Sequence, residues 1–579
     1  MSKRKRIPLK GILIGLWALA LCLSIGYRFH PTILPAFKTQ DLQLVQRDLP
    51  ITTESVSFKD NKYGTYLVGI LAQQNQDYDQ TNTAFTQALA MDKDNPKLKQ
   101  MVYLLKAVRG EMTDALPLAQ DLNDQSSPEL LTDYILIADA LKNKNYQEAD
   151  LLLYAKPIYG PDNILKPVLS AWVLAGQGKR TEAEKKLSEL ENENMDSLLA
   201  YYRALIALHF NDKKTAKKQF QKMSSLSKDG YPSLTSLVIL HDFYQEEGLW
   251  TAGNKDYDHF RTILNNTPAV RDVLQGLTAP KKITPEIGSA IAFYDVSVAL
   301  APLKAVETSL IFNEIALYLY PEALTPKIWG GELMEQTGNY KAANRIYNRI
   351  QNPTYLIQFK KAMNLIALDQ HANALPILEQ LQSERPHDAY VHLLLGDSYA
   401  ETQNIESAIQ SYQKAGDLFK KTNTRDEASQ TLYVLGALYD QNQKHAEAET
   451  AFLEAIRLNP NNANALNYLG YIWLDTNKNM DEAFQMVQKA SELEPNDPNI
   501  MDSLAWGYYL KKDYKKALEI AEKSIDMLSF SSIAYDHLGD IYTALNRHRE
   551  ARYQYRKALD LTADITPELK SRLEQKLNR

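Results

Sequence analysis

From residue 389 onward, short amphipathic stretches follow one another, with apolar positions spaced three or four residues apart as on one face of a helix. Within them a small residue followed three positions later by an aromatic recurs: Gly396 with Tyr399, Gly436 with Tyr439, Gly470 with Trp473, Ala505 with Tyr508 and Gly539 with Tyr542, at spacings of 40, 34, 35 and 34 residues. Alanines follow twelve residues after the small position at Ala408, Ala448, Ala517 and Ala551 and thirteen after it at Ala483, and further on come Ala415, Ala455, Ala490 and Ala558, with Tyr412, Phe452 and Tyr555 between them. This period predicts antiparallel helix pairs joined by short turns. A small residue at the eighth position of the first helix admits the second helix, with the twentieth-position Ala expected opposite it. Large residues at positions 11 and 24 are expected to fill the wedge between repeats. Pro460 and Pro495 stand where the second helix must stop, because proline lacks the amide donor and has a fixed backbone angle.

On these residues, positions 389–563 resemble the tetratricopeptide repeat family, with five consecutive units. The resemblance implies an all-α fold of tandem helix-turn-helix repeats forming a right-handed α-solenoid. More worn units keep register upstream: Gly69, Phe85 and Ala88, Tyr146 with Ala149, Ala183, Ala204 with Ala216 and Phe220, Ala316 with Pro321, Tyr340 with Ala343 and Tyr347, and Ala374 with Pro386. Repeats then cover most of 60–565, on the order of 12 to 15 units. The organisation read from the chain is a basic segment 1–10, an apolar segment 11–27, a linker 28–59, degenerate repeats 60–223, an irregular helical insert or joint 224–290, repeats 291–388, well-formed repeats 389–563 and a capping helix 564–579. In the last of these, Leu569, Leu573 and Leu577 form one apolar stripe on a charged helix, the cap that a solenoid needs over its final interface.

Charge changes the picture at the N-terminus. Residues 1–40 hold seven Lys or Arg and no acid, leaving 58 basic against 71 acidic residues in the rest, a net charge of −13. An acidic body argues against nucleic acid as a partner. Lys3, Arg4, Lys5, Arg6 and Lys10 precede the apolar run from Gly11 to Tyr27, a pattern that predicts export, either as a cleaved signal peptide ending near Ser24-Ile25-Gly26 or as a retained inner-membrane anchor. The single cysteine, Cys22, lies in that run, and Leu21 before it is too large for a lipid-attachment box. The rest of the chain can form neither a disulfide nor a thiolate metal site.

No catalytic motif, cofactor motif or metal-ligand spacing stands out, so the chain is expected not to be an enzyme. Of the histidines, His241-Asp242 and His387-Asp388 come nearest to a pair, and Gly176-Gln-Gly178-Lys179 reads as an inter-helix turn rather than a phosphate loop. In the family, positions 2, 5, 9, 12 and 13 of the first helix line the concave groove. Carried over residue by residue, these are Tyr433 (with Ala437 and Asp440), then Asn464, Asn467 and Tyr471 (with Leu474), then Asp502, Trp506 and Tyr509 (with Asn499), then Asp536 and Asp540. No Lys or Arg is among them, a departure from the basic clamp of chaperone-binding relatives. Asn offers donor and acceptor to an extended peptide, the aromatics offer flat contact, and the acids favour a neutral or basic partner. The runs Ala465–Tyr471, Met501–Trp506 and Tyr535–Asp540 resemble bacterial envelope members of the family, among them periplasmic adaptors of carboxyl-terminal-processing proteases. That resemblance implies a scaffold or adaptor, with a structural subunit of an envelope complex as the alternative and an enzyme with an unrecognised site near residues 224–290 as a remote one.

Overall fold

A computed structural model describes residues 62–578 apart from 75–77, 125–129, 155–161, 191–194, 227–232, 250, 252–275, 304, 528–530 and 562–564. The N-terminal basic and apolar segments, and much of the expected insert, lie outside the described residues. Among the described residues there are 28 α-helices and no strand. They divide into two compact units, 62–364 and 365–578.

In the C-terminal unit the helices pair as the period predicts: Ala389–Glu401 with Ile405–Lys421, Arg425–Gln441 with His445–Leu458, Ala463–Asp475 with Met480–Leu493, Pro498–Leu510 with Tyr514–Met527, and Ser532–Ala544 with His548–Asp560. Asp388, Asn462, Asp497 and Ser531 cap four of the first helices by accepting from amides two or three residues on, each worth about 1 kcal/mol. The five recurring aromatics mark where those helices stop. The carbonyls of Tyr399, Tyr439, Trp473, Tyr508 and Tyr542 accept from the amides of Asn404, Lys444, Lys478, Asp513 and Arg547, a closing bond made possible by left-handed residues such as Gln443 (φ 64°) just before.

The packing between paired helices differs from expectation. What lies nearest the eighth-position glycine is the large residue sixteen positions later in the same repeat. A Cβ on Gly396 would stand 2.6 Å from Tyr412 Cδ1, one on Gly436 would stand 2.7 Å from Phe452 Cε1, and one on Gly539 would run into Tyr555. The rings are fully or nearly fully buried. Only Gly470 fits the simpler picture, with Val487 and the Ala483 carbonyl against it. In the unit carrying Ala505 instead of Gly, position 521 is Ala, so a smaller side chain compensates for the extra methyl. Sixteen residues also separate Gly69 from Phe85 and Gly331 from Tyr347, each in the same contact. The worn N-terminal repeats thus keep the same lock. The last helix, Pro567–Asn578, buries Leu569 and Leu573 against the final repeat and packs Leu577 at its edge, as expected of a cap.

The N-terminal unit is built differently. Its first helices Pro96–Val108, Leu130–Lys142 and Asp162–Gly176 hold the chain's own helices Pro285–Leu300 and Val306–Leu319 against them. Tyr134 meets Phe293 and Phe312 edge-on at 5.7 and 5.5 Å, and Trp172 lies on Gly288 where a Cβ would clash. Tyr202 donates to Asp295 at 2.8 Å and Tyr318 to Asp139 at 2.7 Å. A charge network of Asp79 with Arg109 and Arg345, and of Arg349 with buried Glu314, joins the earliest repeats to 306–349. The helix 285–300 is apolar on every side, a composition that also suits a membrane span, but here it is the core helix of the unit: only Glu286 and Ile287 escape full burial. Further on, Gly178 takes φ +78° in the turn between Asp162–Gly176 and Arg180–Leu187, as the turn reading of Gly176–Lys179 requires.

Two expectations follow. Gly436→Ala should destabilise the C-terminal unit by about 1–2 kcal/mol, because overpacking at about 1–3 outweighs the helix-propensity gain of about 0.5–1. Chemical denaturation should show most of that loss recovered in Gly436→Ala/Phe452→Leu. Burial pushes Asp295 up to about 7, only partly offset by the Ser233 and Tyr202 hydroxyls. The folded unit therefore holds a proton that the unfolded chain releases near pH 4, so stability falls as pH rises from about 4 to about 7 and then levels. Asp295→Asn should remove this part of the slope and gain about 2–4 kcal/mol over wild type at pH 8 but little at pH 4. Equal gains at both pH values would show that Asp295 is not held neutral.

Candidate peptide-binding groove

Successive first helices of the C-terminal unit pack directly on one another, Ala463–Asp475 on Pro498–Leu510 and that on Ser532–Ala544, more closely than successive second helices do. The stack therefore curves with the first helices inside, and residues at their inner positions share one surface. Eight of the nine sequence-derived site residues, Asn464 to Asp540, fall on these three helices. Tyr433 lies one repeat earlier, buried between Phe452 and Tyr468 at ring distances of 6.2 Å. It packs rather than presents a surface.

The three later helices bring an aromatic stack together. Trp506 lies between Tyr509, 4.7 Å away and 13° from parallel, and His537, 4.3 Å away and 15° from parallel. Tyr471 approaches the same imidazole from the preceding repeat at 6.0 Å. Trp506, Tyr509, Tyr471 and Asn464 are all partly exposed. Asn467 is partly exposed too, but its Oδ1 is buried with no hydrogen-bond partner, so in this rotamer it does not offer that oxygen to a peptide amide.

His537 was not among the residues read from the sequence, where the histidines look scattered. The signal was available in the repeat register, since His537 stands 35 residues after Asp502, one repeat on. It is buried, and its Nδ1–H donates to the Asp502 carboxylate at 3.0 Å. Burial alone would lower its pKa, but Asp502, with Asp536 and Asp540 beyond, outweighs it and the pKa is raised.

The acids do not present an open negative patch. Asp536, almost fully buried, accepts from Arg572 and Lys576 at 2.6 Å each, and Asp540 accepts from Lys576 at 2.6 Å and the Tyr555 hydroxyl at 2.7 Å. Two charges of the capping helix thus turn inward, and the groove residues that looked unaccompanied by Lys or Arg are neutralised from the end of the chain. With Asp502 on His537, all three acids have partners within the unit. Away from the groove, Asp242 pairs with His241 at 2.8 Å and accepts from the Ala279 amide at 2.7 Å, which pins a loop. Among the described residues no group of three or more His, Cys, Asp or Glu is arranged to hold a metal.

Stacked antiparallel helix pairs with an aromatic inner face define a helical-repeat interaction scaffold. Models described as tetratricopeptide repeat match residues 387–461, 433–498 and 533–565, so these parts of the chain are tetratricopeptide repeats. It is similar to anaphase-promoting complex subunit 3 of Schizosaccharomyces pombe, 28% identical over 156 residues, 27% of this chain and 23% of that protein. A TPR repeat-containing protein of Pseudomonas aeruginosa is 28% identical over 164 residues, 28% of this chain and 27% of that one. The human protein O-mannosyl-transferase TMTC1 is 28% identical over 186 residues, 31% of this chain and 20% of that one. The matched stretches span about a quarter or less of these relatives. Among solved structures, the Cut9–Hcn1 hetero-tetramer of the APC/C aligns with 89% of this chain and 96% of that one at 14% identity and a TM-score of 0.36.

The charge arrangement predicts the titration of the groove. His537 should titrate above its ordinary value of about 6.5, and Asp502→Asn should bring it down, since burial then acts with less opposition. Because the folded pKa is raised, the pair's stabilisation is complete below about pH 6.5 and is lost as pH rises through the folded value. NMR of the His537 ring in both proteins measures this directly, and no difference between them would show that Asp502 does not hold the imidazolium.

Proposed function

We propose that this protein is a non-catalytic adaptor of the bacterial cell envelope that binds an extended segment of a partner protein on the inner face of residues 463–544. The observation that carries the reading is the partly exposed aromatic row Tyr471, Trp506 and Tyr509, with Trp506 held flat by its neighbours. A rigid, low-entropy aromatic surface is the kind of feature on which interface energy concentrates. Because Asp502, Asp536 and Asp540 are already paired, the preferred segment is neutral and apolar or aromatic rather than strongly basic. The N-terminal unit supports the same assignment by exclusion, since its inner face is occupied by helices 285–319.

Export rests on the basic and apolar segments Lys3–Tyr27, with the body on the periplasmic face, either anchored in the inner membrane or released after cleavage. The adaptor role for a carboxyl-terminal-processing protease rests on the resemblance of residues 465–471, 501–506 and 535–540 to envelope adaptors. The filled inner face of the N-terminal unit favours a second role there, as a structural subunit holding an envelope complex without presenting a peptide.

Replacing Asn467 and Tyr471 together by Ala should lower partner affinity at least tenfold, about 1–2 kcal/mol for each truncated side chain, with a small change in melting temperature. Crosslinking capture by the full chain should lose its specific partner in this variant and keep it in Tyr553→Ala, an exposed aromatic on a second helix. Retention of the partner by a folded Asn467→Ala/Tyr471→Ala variant refutes groove binding, and a large fall in melting temperature assigns these residues to packing.

A further inference from the structure

The body of the chain is acidic, yet the helix Lys213–Leu226 carries Lys213, Lys214, Lys217, Lys218 and Lys222 and no acidic residue. It is the second helix of its pair, and Ala216, Phe220, Met223 and Ser224 fix it to the N-terminal unit. That packing directs the lysines to the outer flank. Lys213 reaches Glu247 at 2.7 Å and Lys222 lies 3.9 Å from Asp196, but no ion pair holds Lys214, Lys217 or Lys218 among the described residues. In Pro96–Val108, which also lacks acids, Lys99 and Lys106 are spent on Asp121, Glu111 and Asp114, leaving Lys97 alone on that helix without an ion pair among the described residues.

Apolar side chains stand on the same flank. Leu226 at the end of this helix is 41% exposed, and on the second helix two repeats earlier Leu151 and Tyr154 are 72% and 67% exposed. The intervening second helix, Arg180–Leu187, links the two: Lys186 lies over the Tyr154 ring at 5.5 Å, and Arg180 reaches Asp212, next to Lys213, at 2.8 Å. Of the acids along this row, Glu184, Asp212 and Glu189 are paired with Arg180 or Lys186, whereas Glu182 and, on the helix of Leu151 and Tyr154, Glu148 and Asp150 make no ion pair among the described residues.

We propose that this outer flank, centred on Lys214, Lys217 and Lys218, docks on an anionic phospholipid surface. Free ammonium groups on flexible apolar stems, flanked by protruding Leu and Tyr, match the boundary between headgroups and acyl chains, where lysines meet phosphates and aromatics sit at headgroup level. An acidic protein segment would use the lysines but leave Leu151, Tyr154 and Leu226 in water. A second copy of this chain, with its acidic body, could also meet the charge.

The test uses the full chain and its Lys214→Glu/Lys217→Glu/Lys218→Glu variant. Both are floated with vesicles of phosphatidylcholine alone and of phosphatidylcholine with phosphatidylglycerol, at low and high salt. Any insertion through residues 11–27 is common to both proteins, whereas docking by this flank is the part that requires anionic lipid and is lost in salt. That part should fall about hundredfold in the variant, at about fivefold for each lysine. Thermal unfolding monitored by circular dichroism should change little, because Lys214 and Lys218 are exposed and half-buried Lys217 makes no ion pair among the described residues. Equal partitioning of the two proteins on anionic vesicles overturns the proposal. So does a variant that keeps its vesicle binding but loses self-association in sedimentation, which would make the flank a contact between copies.

Discussion

Two helices of a repeat approach each other here because a ring from the second lies on bare backbone of the first. Gly69 with Phe85, Gly331 with Tyr347, Gly396 with Tyr412, Gly436 with Phe452 and Gly539 with Tyr555 all make this contact. A methyl group at the glycine would occupy space the ring already fills, and a protein interior packed near crystal density has no slack to absorb it. Each large buried side chain contributes about 1.5–3 kcal/mol by leaving water, but that gain requires the close approach. The lock recurs in both units, so repeats whose surface residues have diverged still set their helices at the same spacing.

Given that spacing, the turn residues and caps become consequences. A first helix must end where the chain can reverse, and the left-handed turn residue with its closing amide bond supplies the reversal. The inner faces of neighbouring first helices then meet, and side chains one repeat apart in sequence become neighbours. His537 reaches Asp502 and stacks on Trp506 for this reason. The same geometry puts Arg572 and Lys576 of the cap onto Asp536, so the helix that closes the solenoid also neutralises one end of its groove.

The two units use one building block to opposite ends. In the C-terminal unit the inner face carries partly exposed aromatics, whereas in the N-terminal unit it is covered by helices from later in the chain. Phe293, Phe312 and Trp172 turn that surface into a core, and Tyr202 with Asp295 satisfies part of the polarity buried in the process. A repeat array filled by its own chain gains apolar burial and gives up a binding surface. The outward flanks of its second helices, including the lysines of Lys213–Leu226, remain as its interface with other molecules.

The sequence by itself determined the helix pairs, their period, their stops at Pro460 and Pro495 and the capping helix, because each depends on contacts within one repeat or between adjacent repeats. It did not show that the aromatic at position 24, besides packing between repeats as Phe452 does on Tyr468, also lies on the eighth-position glycine, since a period shows that small and large residues alternate but not which of them touch. It missed His537 because a lone histidine has no motif, and its role comes from a partner 35 residues away. Tertiary structure alone decided that Tyr433 is buried, that Asp536 and Asp540 are paired, and that helices 285–319 occupy the N-terminal inner face. The last of these rests on contacts such as Tyr318 with Asp139, 179 residues apart, beside Arg345 with Asp79, 266 apart, and a local period carries no information at such separations; the first two depend on which way individual side chains turn between neighbouring repeats.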